Sequence, residues 1–229
     1  MSSFRLLLSM AVLTILTGCM GSRHADVWVD AQRAYFYATV DQQVANVPAS
    51  GTARYEGIAE VSAVDPNRNT KDLYVGLATY NAAFSSTGGR ISGEVSGFLV
   101  LENLGVYEDP VDSNVSCGGY CVDTEAARAR ITAALRPAKA VSGQITLAET
   151  PVQNGVFFAS ASGSVEHGAG GETTFDGVLQ GNILGNSGEV VAVNDTHGRT
   201  LDPSIGSLFS ATRNGETLIG WFESIAVAR

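Results

Sequence analysis

The sequence predicts an all-β fold, a single antiparallel meander barrel of about eight strands with one flanking helix. From residue 51 onward, apolar and polar side chains alternate with a period of two, as in strands with one face in a core and the other in solvent. Turn-forming segments separate these runs. Glycines lie inside almost every run, where they permit the bends that close a sheet into a barrel.

The stretch LLLSMAVLTILTGCMGS (residues 6–22) precedes the first strand and predicts export. Arg5 is followed by an apolar run that ends at Leu16, and this run is shorter than the roughly 20 residues that a transmembrane helix needs. Its shape is that of the hydrophobic region of a secretory signal peptide.

The next residues, Leu16-Thr17-Gly18-Cys19, resemble the lipobox of bacterial lipoproteins. The resemblance implies cleavage before Cys19, lipid attachment to its sulfur, and acylation of the new amino terminus with a fatty acid such as palmitate. More than one acyl chain makes such an anchor stable. The absence of aspartate from Met20-Gly21 implies, for this class of signal, sorting to the outer membrane. The alternative is an ordinary signal peptide with an incidental cysteine.

This interpretation divides the chain into three parts. Residues 1–18 are expected to be a lipoprotein signal peptide, residues 19–50 a lipidated tether or leader, and residues 51–229 the barrel domain. Within the leader, AYFYATV (34–40) has no clear period and is expected to form either one strand or a segment that packs on the body. His24 is expected to be solvated.

The barrel domain begins with a strand in GTARYEGIAEVSAV (51–64), in which small and apolar residues alternate with charged ones. A Ser/Gly connector then joins two further runs and predicts a hairpin. Asn214-Gly215 is the favoured pair for a tight turn and predicts a second hairpin near the end of the chain. The strand-like runs after the first are LYVGLATYNAAF (73–84), RISGEVSGFLVLEN (90–103), AVSGQITLAE (140–149), NGVFFASASGSVE (154–166), TTFDGVLQGNILG (173–185) and SLFSATRNGETLIGWFESIAV (207–227), with EVVAVN (189–194) as a candidate eighth strand.

One helix interrupts the strands, in DTEAARARITAALRP (123–137). Asp123 or Thr124 is suited to cap its amino terminus, and Pro137 follows its end. Ile131 and Leu135 are four residues apart, so both are expected to lie against the sheet.

SCGGYC contains Cys117 and Cys121, for which a disulfide is the favoured interpretation. An exported chain folds in an oxidising compartment, where paired cysteines persist as disulfides. A structural zinc needs four ligands, and the only other cysteine is Cys19, which the lipobox assigns to lipid attachment. Redox motifs have two residues between their cysteines, whereas three separate this pair.

The charge of the chain bears on its partners. With 14 Lys and Arg against 23 Asp and Glu, the formal net charge is −9. Nucleic-acid binding is not expected, because phosphates require a basic surface. Adhesion to anionic lipid beyond the acyl anchor is likewise disfavoured.

Catalytic and cofactor motifs do not emerge from the sequence, and the chain is not expected to be an enzyme. His167 and His197 lie in predicted loops and are candidate ligands for a transition metal or haem, although solvated loop residues are the alternative. Neither has a third partner at the spacing a zinc site uses. GNSGE (185–189) lacks the strand–turn–helix context of a hydrolase nucleophile. No cofactor is therefore predicted.

Several segments, namely GTARYEG, YVGLATYNAAF and GRISGEVSGF, resemble the barrel domain of transferrin-binding protein B and related bacterial surface lipoproteins. FDGVLQGNILGNSGE is similar to a later strand pair of that family. The chain departs from the family at AVNDTHGRTLDPSIGSLF, and it has room for one barrel without a handle domain. The resemblance implies an eight-stranded barrel displayed on a lipid anchor, in a family that captures host proteins or haem-type ligands.

The expected function is therefore that of a lipoprotein anchored in the outer membrane, on its surface or periplasmic face, that binds an extracellular protein or a haem-type ligand through its loops. The candidate loops are 85–89, 104–121, 166–172 and 194–206. Two alternatives are a barrel that carries a small apolar ligand in its lumen and a structural envelope lipoprotein without a ligand.

Overall fold

A computed structural model describes residues 3–40, 48–110, 123–167, 170–195 and 209–229, with side chains described from Gly21 onward and at all but Val40 of the first helix. Cys117, Cys121 and His197 lie outside these ranges. Within them the chain forms two helices, α1 (Ser3–Val40) and α2 (Thr124–Ala134), and nine strands. The strands are β1 (Gly51–Asp65), β2 (Thr70–Ser85), β3 (Gly88–Gly105), β4 (Lys139–Val152), β5 (Val156–Glu166), β6 (Glu172–Leu184), β7 (Val190–Asp195), β8 (Phe209–Arg213) and β9 (Glu216–Ala228).

The strands form one closed antiparallel barrel, which confirms the predicted fold class. Each strand from β1 to β6 pairs with the next, and β9 pairs with β1 to close the sheet. β7 and β8 both lie between β6 and β9, one after the other, so the nine strands occupy eight positions in the wall. Among the nine described strands, closure leaves no long edge open to pairing with another chain.

A strand, a turn and a helix cap that the sequence predicts are present in the structure. The candidate eighth strand is β7. Asn214 and Gly215 have φ of 51° and 79°, as the tight turn between β8 and β9 requires. The carboxylate of Asp123 caps α2 by accepting a hydrogen bond from the Ala126 N–H at 2.9 Å.

Aromatic side chains fill the middle of the barrel lumen. Tyr74 and Phe175 make an edge contact with ring centroids 5.6 Å apart, and Phe209 continues the column at 5.9 Å from Phe175. Phe222 follows at 5.7 Å from Phe209. All four rings are buried, and the smaller inward-facing residues of every wall position pack around them.

Two glycines create the space for large rings. Gly181 pairs with Phe157 on the neighbouring strand, and a Cβ at Gly181 would lie 1.9 Å from Phe157 Cζ. Gly93 pairs with Tyr80 in the same way, and a Cβ there would lie 2.3 Å from Tyr80 Cδ1. Each ring therefore lies flat over a backbone that has no side chain, an arrangement that pins the strand register.

The two helices cover part of the outer surface of the barrel. Trp28 and Val29 of α1 are fully buried against outward-facing apolar residues of the wall, and Ile131 of α2 packs into the same cluster. The wall residues are Ile58, Leu73, Val75, Leu99, Leu101, Val190 and Ile225. The burial of this apolar area stabilises the association of α1 and α2 with the barrel.

Of the two forms expected for residues 34–40, a strand or a segment packed on the body, the structure has the second: they lie in α1, and Ala34, Tyr35 and Ala38 pack against the barrel wall. The expectation that His24 is solvated is wrong. His24 is 1% exposed, and its Nε2 lies 2.8 Å from the Gly97 carbonyl oxygen, so it is part of the packed interface. No helix in the portion of the chain that the structure describes combines the length and hydropathy needed for a membrane crossing.

Candidate functional site

The two ends of the barrel differ in the connections they carry. At one end the strands are joined by short turns, including those at residues 85–88 and 152–156. At the other end, which we call the mouth, lie the long connection 106–138 with α2, the five-residue loop 167–171 and the short turns 66–69 and 214–215. Long connections on a rigid scaffold are the usual location of binding residues, so the mouth is the end to examine for function.

At the mouth, the last inward-facing side chain of six strands is polar instead of apolar. Each lies two residues beyond a buried or partly buried apolar residue of the core on the same strand, and so points toward the lumen by the alternation of the strand. These residues, which we call the mouth cluster, are Asp72, Glu102, Lys139, His167, Thr173 and Arg213. Together they close the lumen with a polar layer.

Arg213 is the centre of one half of the mouth cluster. Its Nη1 lies 2.5 Å from Asp72 Oδ2, and its Nε donates to Thr173 Oγ1 at 2.8 Å. Its Nη2 donates to the hydroxyl of Tyr74 at 3.0 Å. Asp72 is 5% exposed and also accepts from the backbone N–H of Asn103 at 2.8 Å. The guanidinium thus joins β2, β6 and β8 over the aromatic column.

His167 is the centre of the other half. Its Nε2 lies 3.2 Å from Asp72 Oδ2 and 3.3 Å from Glu102 Oε1, and its side chain is 13% exposed. Glu102 Oε2 accepts from Lys139 Nζ at 2.6 Å. This hydrogen bond is the largest cause of the lowered pKa of Glu102. The nearby His167 also lowers the pKa of that carboxyl. Lys139 is the most exposed side chain of this half, at 58% against 13% for both Glu102 and His167.

The side chains of the mouth cluster can recognise charged or hydrogen-bonding groups. Among the residues for which coordinates are described, no three His, Cys, Asp or Glu side chains are arranged to hold a metal ion. Arg213 and Lys139 already bind the carboxylate oxygens that a cation would need. The charges therefore satisfy one another across the lumen.

Two buried phenols, paired across β1 and β2 toward the end opposite the mouth, make internal hydrogen bonds. Tyr80 donates to Ser224 Oγ at 2.8 Å, and burial raises its pKa. Its cross-strand partner Tyr55 donates to the Gly188 carbonyl oxygen at 2.8 Å. Burial, together with the charge of Glu189, raises the pKa of Tyr55 to about 12. Both hydroxyls are held by the protein itself, so they act as structural groups.

A groove of about 270 Å³ lies near the opposite end of the barrel, between α1 and the β6–β7 turn. Ala34, Tyr37 and Ala38 line it on the helix side, and Asn186 and Glu189 on the barrel side. Its volume is slightly below the range usual for sites of small organic ligands.

The structure separates the residues that the sequence singled out. His167 and the loop 166–172 lie at the mouth, where the connection that contains 104–121 also begins. The turn 85–89 lies at the opposite end. The segment 194–206 begins with Asn194 and Asp195, the last two residues of β7, which stops partway along the wall.

Asp72 and Arg213 of the mouth cluster were not predicted from the sequence, although the strand alternation indicates them. Asp72 and Arg213 continue the inward register of Tyr74 and Ala211, so extending the alternation by one step would have identified them. The spacing of Ala25, Trp28 and Val29 matches one face of a helix.

Comparisons with family models, curated proteins and solved structures found no match to this chain. The resemblance to transferrin-binding protein B therefore remains a prediction from the sequence.

Proposed function

We propose that this protein is a lipid-anchored lipoprotein of the bacterial outer membrane that binds an extracellular protein partner through the mouth of its barrel and has no catalytic role. The observation that carries the proposal is the asymmetry of the barrel: the long connection 106–138 begins and ends beside a polar cluster at one end, whereas each connection between strands at the other end has at most five residues.

The rigidity of the mouth supports recognition of a partner. The mouth cluster links five strands and the residue after β5 through ion pairs and hydrogen bonds, so the ends of the connecting segments are fixed. Fixed loop ends reduce the conformational entropy that a binding surface loses when it forms a complex. The charged groups favour specificity for a polar or charged surface.

The filled lumen favours an external partner over a small apolar cargo. Tyr74, Phe175 and Phe209 occupy the centre of the barrel, where a carrier protein would place its ligand. A haem-type ligand is also less well supported, because His167 Nε2 would have to leave Asp72 and Glu102 to bind an iron.

Lipid anchoring is tested first, by mass spectrometry of the N-terminal peptide from the full chain expressed in a Gram-negative bacterium. We expect a peptide that begins at Cys19 and carries acyl groups. The Cys19→Ser variant should move from the membrane fraction to the soluble fraction. An unmodified Cys19 in the mature protein would contradict the anchor.

Partner binding is tested with the detergent-solubilised full chain as bait for extracellular fluid of the host environment. Variants at the mouth, Lys139→Glu and Glu172→Lys, change exposed charges there, and Asn186→Lys is the matched change at the opposite end. We expect one captured protein to be lost with the mouth variants and kept with Asn186→Lys. Loss only with Asn186→Lys, or no specific capture, would contradict the proposal.

The haem-type alternative is tested by titrating the purified protein with haem and recording the Soret band. We expect no shift that depends on His167. A shift abolished by His167→Gln would favour the haem-type ligand over a protein partner.

A further inference from the structure

We propose that the barrel lies side-on against its membrane, with the outer face of β3 and β4 toward the lipid, because α1 is a rigid strut rather than a flexible tether. This inference rests on the proposed lipid anchor at Cys19. It concerns the surface that the protein presents to its own membrane, and it follows from where α1 begins, where it is fixed and which strands it crosses.

The fixed part of α1 begins almost at the acylated residue. The helical backbone is continuous through Cys19, and Gly21 is already buried. His24 lies against the wall through its contact with the Gly97 carbonyl oxygen at 2.8 Å. His24 follows Cys19 by five positions in the helix, which corresponds to about 7.5 Å along the helix axis. The acyl chains are therefore close to the wall at β3.

Several contacts prevent α1 from swinging away from the barrel. Trp28 is fully buried between the helix and the wall. Arg128 of α2 lies 3.0 Å from an Asp26 carboxylate oxygen and 3.3 Å from one of Asp30. Gly97 has φ of +64° at a point where the β3–β4 register shifts, and its carbonyl oxygen is the one that His24 contacts.

The direction of α1 decides which wall faces the lipid. His24 contacts β3, whereas Ala34 and Ala38 lie beside the β6–β7 turn, and between them the helix packs on β2, β1 and β9. The helix therefore crosses the strands on the outside of the barrel. Its amino-terminal end, and with it the membrane, lies beyond β3 on the side of β4. Arg23 is exposed next to the anchor, where a cation favours lipid headgroups.

The side-on position leaves the mouth open. Because α1 crosses the strands, the strands do not point straight at the membrane in this position. A partner in solution then approaches the mouth from the side of β8, which faces away from the lipid, whereas α2 lies beside the anchored end of α1.

The register of the barrel supplies two matched positions for a test. Gln144 on β4 pairs with Ser164, Ser164 with Thr174, and Thr174 with Thr212 on β8. Gln144 and Thr212 are both exposed and point outward, three wall positions apart. Gln144 also pairs with Ser96, the residue before Gly97, so it lies next to the helix contact.

The experiment uses the acylated full chain with Cys117→Ser and Cys121→Ser, reconstituted in phosphatidylethanolamine–phosphatidylglycerol vesicles that contain a lipid with a spin label on its headgroup. A fluorophore is attached through Gln144→Cys in one sample and through Thr212→Cys in the other. We expect loss of fluorescence at position 144 and little loss at position 212. A Gly/Ser linker of about 15 residues, with a reach of roughly 20 Å, inserted between Met20 and Gly21, should abolish the difference.

The outcomes separate the two proposals. If mass spectrometry of the same sample finds Cys19 without acyl groups, the lipid anchor is wrong and the side-on position is wrong with it. If Cys19 is acylated and the two labels lose fluorescence equally, or the label at position 212 loses more, the side-on position alone is overturned. Circular dichroism spectra that match the unlabelled protein establish that both labelled variants are folded.

Discussion

Arg213 and Asp72 are 141 residues apart in the sequence and form an ion pair, with Nη1 and Oδ2 2.5 Å apart, that connects β8 to β2 across the mouth of the barrel. Both side chains are largely withdrawn from solvent, at 21% and 7% exposure. The pair therefore depends on the complete fold, and it offers a direct measure of how firmly the mouth is closed.

Removing one member of this pair should destabilise the barrel strongly. Arg213→Ala leaves the Asp72 carboxylate buried without its main cation, and we expect the free energy of unfolding to fall by about 3 kcal/mol. Urea denaturation measures the change. The exposed pair Arg90–Glu149 is the control, since Arg90→Ala should cost less than about 1 kcal/mol. Equal effects of the two alanine variants would contradict the structural role of Arg213.

Gly181 should not tolerate a side chain while Phe157 covers it. A Cβ at residue 181 would lie 1.9 Å from Phe157 Cζ, so Gly181→Ala should lower the free energy of unfolding by about 1–3 kcal/mol through overpacking. Thermal denaturation checks this. Gly105→Ala is the matched control, because the nearest atom to its Cβ would be 3.7 Å away. Adding Phe157→Leu to Gly181→Ala should restore part of the loss, whereas further destabilisation would show that ring and glycine are not coupled.

Stability should fall at alkaline pH because of the buried phenols. Tyr55 and Tyr80 have raised pKa values in the folded state, about 12 for Tyr55, against 10.0 for the free side chain. Burial disfavours the phenolate, so these residues stabilise the fold fully below pH 10 and lose this contribution as pH rises toward 12 and above. Urea denaturation from pH 9 to 12 measures the dependence. Tyr55→Phe should make it shallower, and an unchanged slope would contradict the assignment.

Trp28 should control the docking of α1. The side chain is 0% exposed, and truncation to alanine leaves a cavity that costs about 3–5 kcal/mol at a well-packed site. Hydrogen exchange followed by mass spectrometry should show faster exchange in residues 21–40 of Trp28→Ala, while β5 and β6 stay protected. Tyr37→Ala is the control, since that side chain is 51% exposed and should cost about 0.5 kcal/mol or less. Unchanged exchange in α1 would contradict its dependence on Trp28.

The fold was predictable because the signals for strands and turns are local. The alternation in β1 and the Asn214-Gly215 pair each follow from neighbouring residues. Packing of residues 34–40 on the body was one of two alternatives from the sequence, but the helix α1 and its Trp28 face were not predicted. That apolar face contacts wall residues from strands far away in the chain, so residue spacing near Trp28 does not reveal what covers it.

The mouth cluster was not predicted because its residues come from strands that are far apart in the sequence. His167 stood out as one of three histidines, but its carboxylate neighbours come from β2 and β3, which are far away in the chain. Lys139 begins a strand and looks like an ordinary solvated residue. Only the closure of the barrel brings these residues to one end, so residue spacing could not reveal the site.

The division of one wall position between β7 and β8 has a consequence for how this protein can vary. β7 ends at Asp195, which pairs with Leu179, and β8 begins at Phe209, which pairs with Gly177. Both strands are paired with β6 and β9, so the number of residues between them can change without altering the register on either side. This interruption is therefore a natural point for grafting an epitope or a reporter peptide into an otherwise intact scaffold.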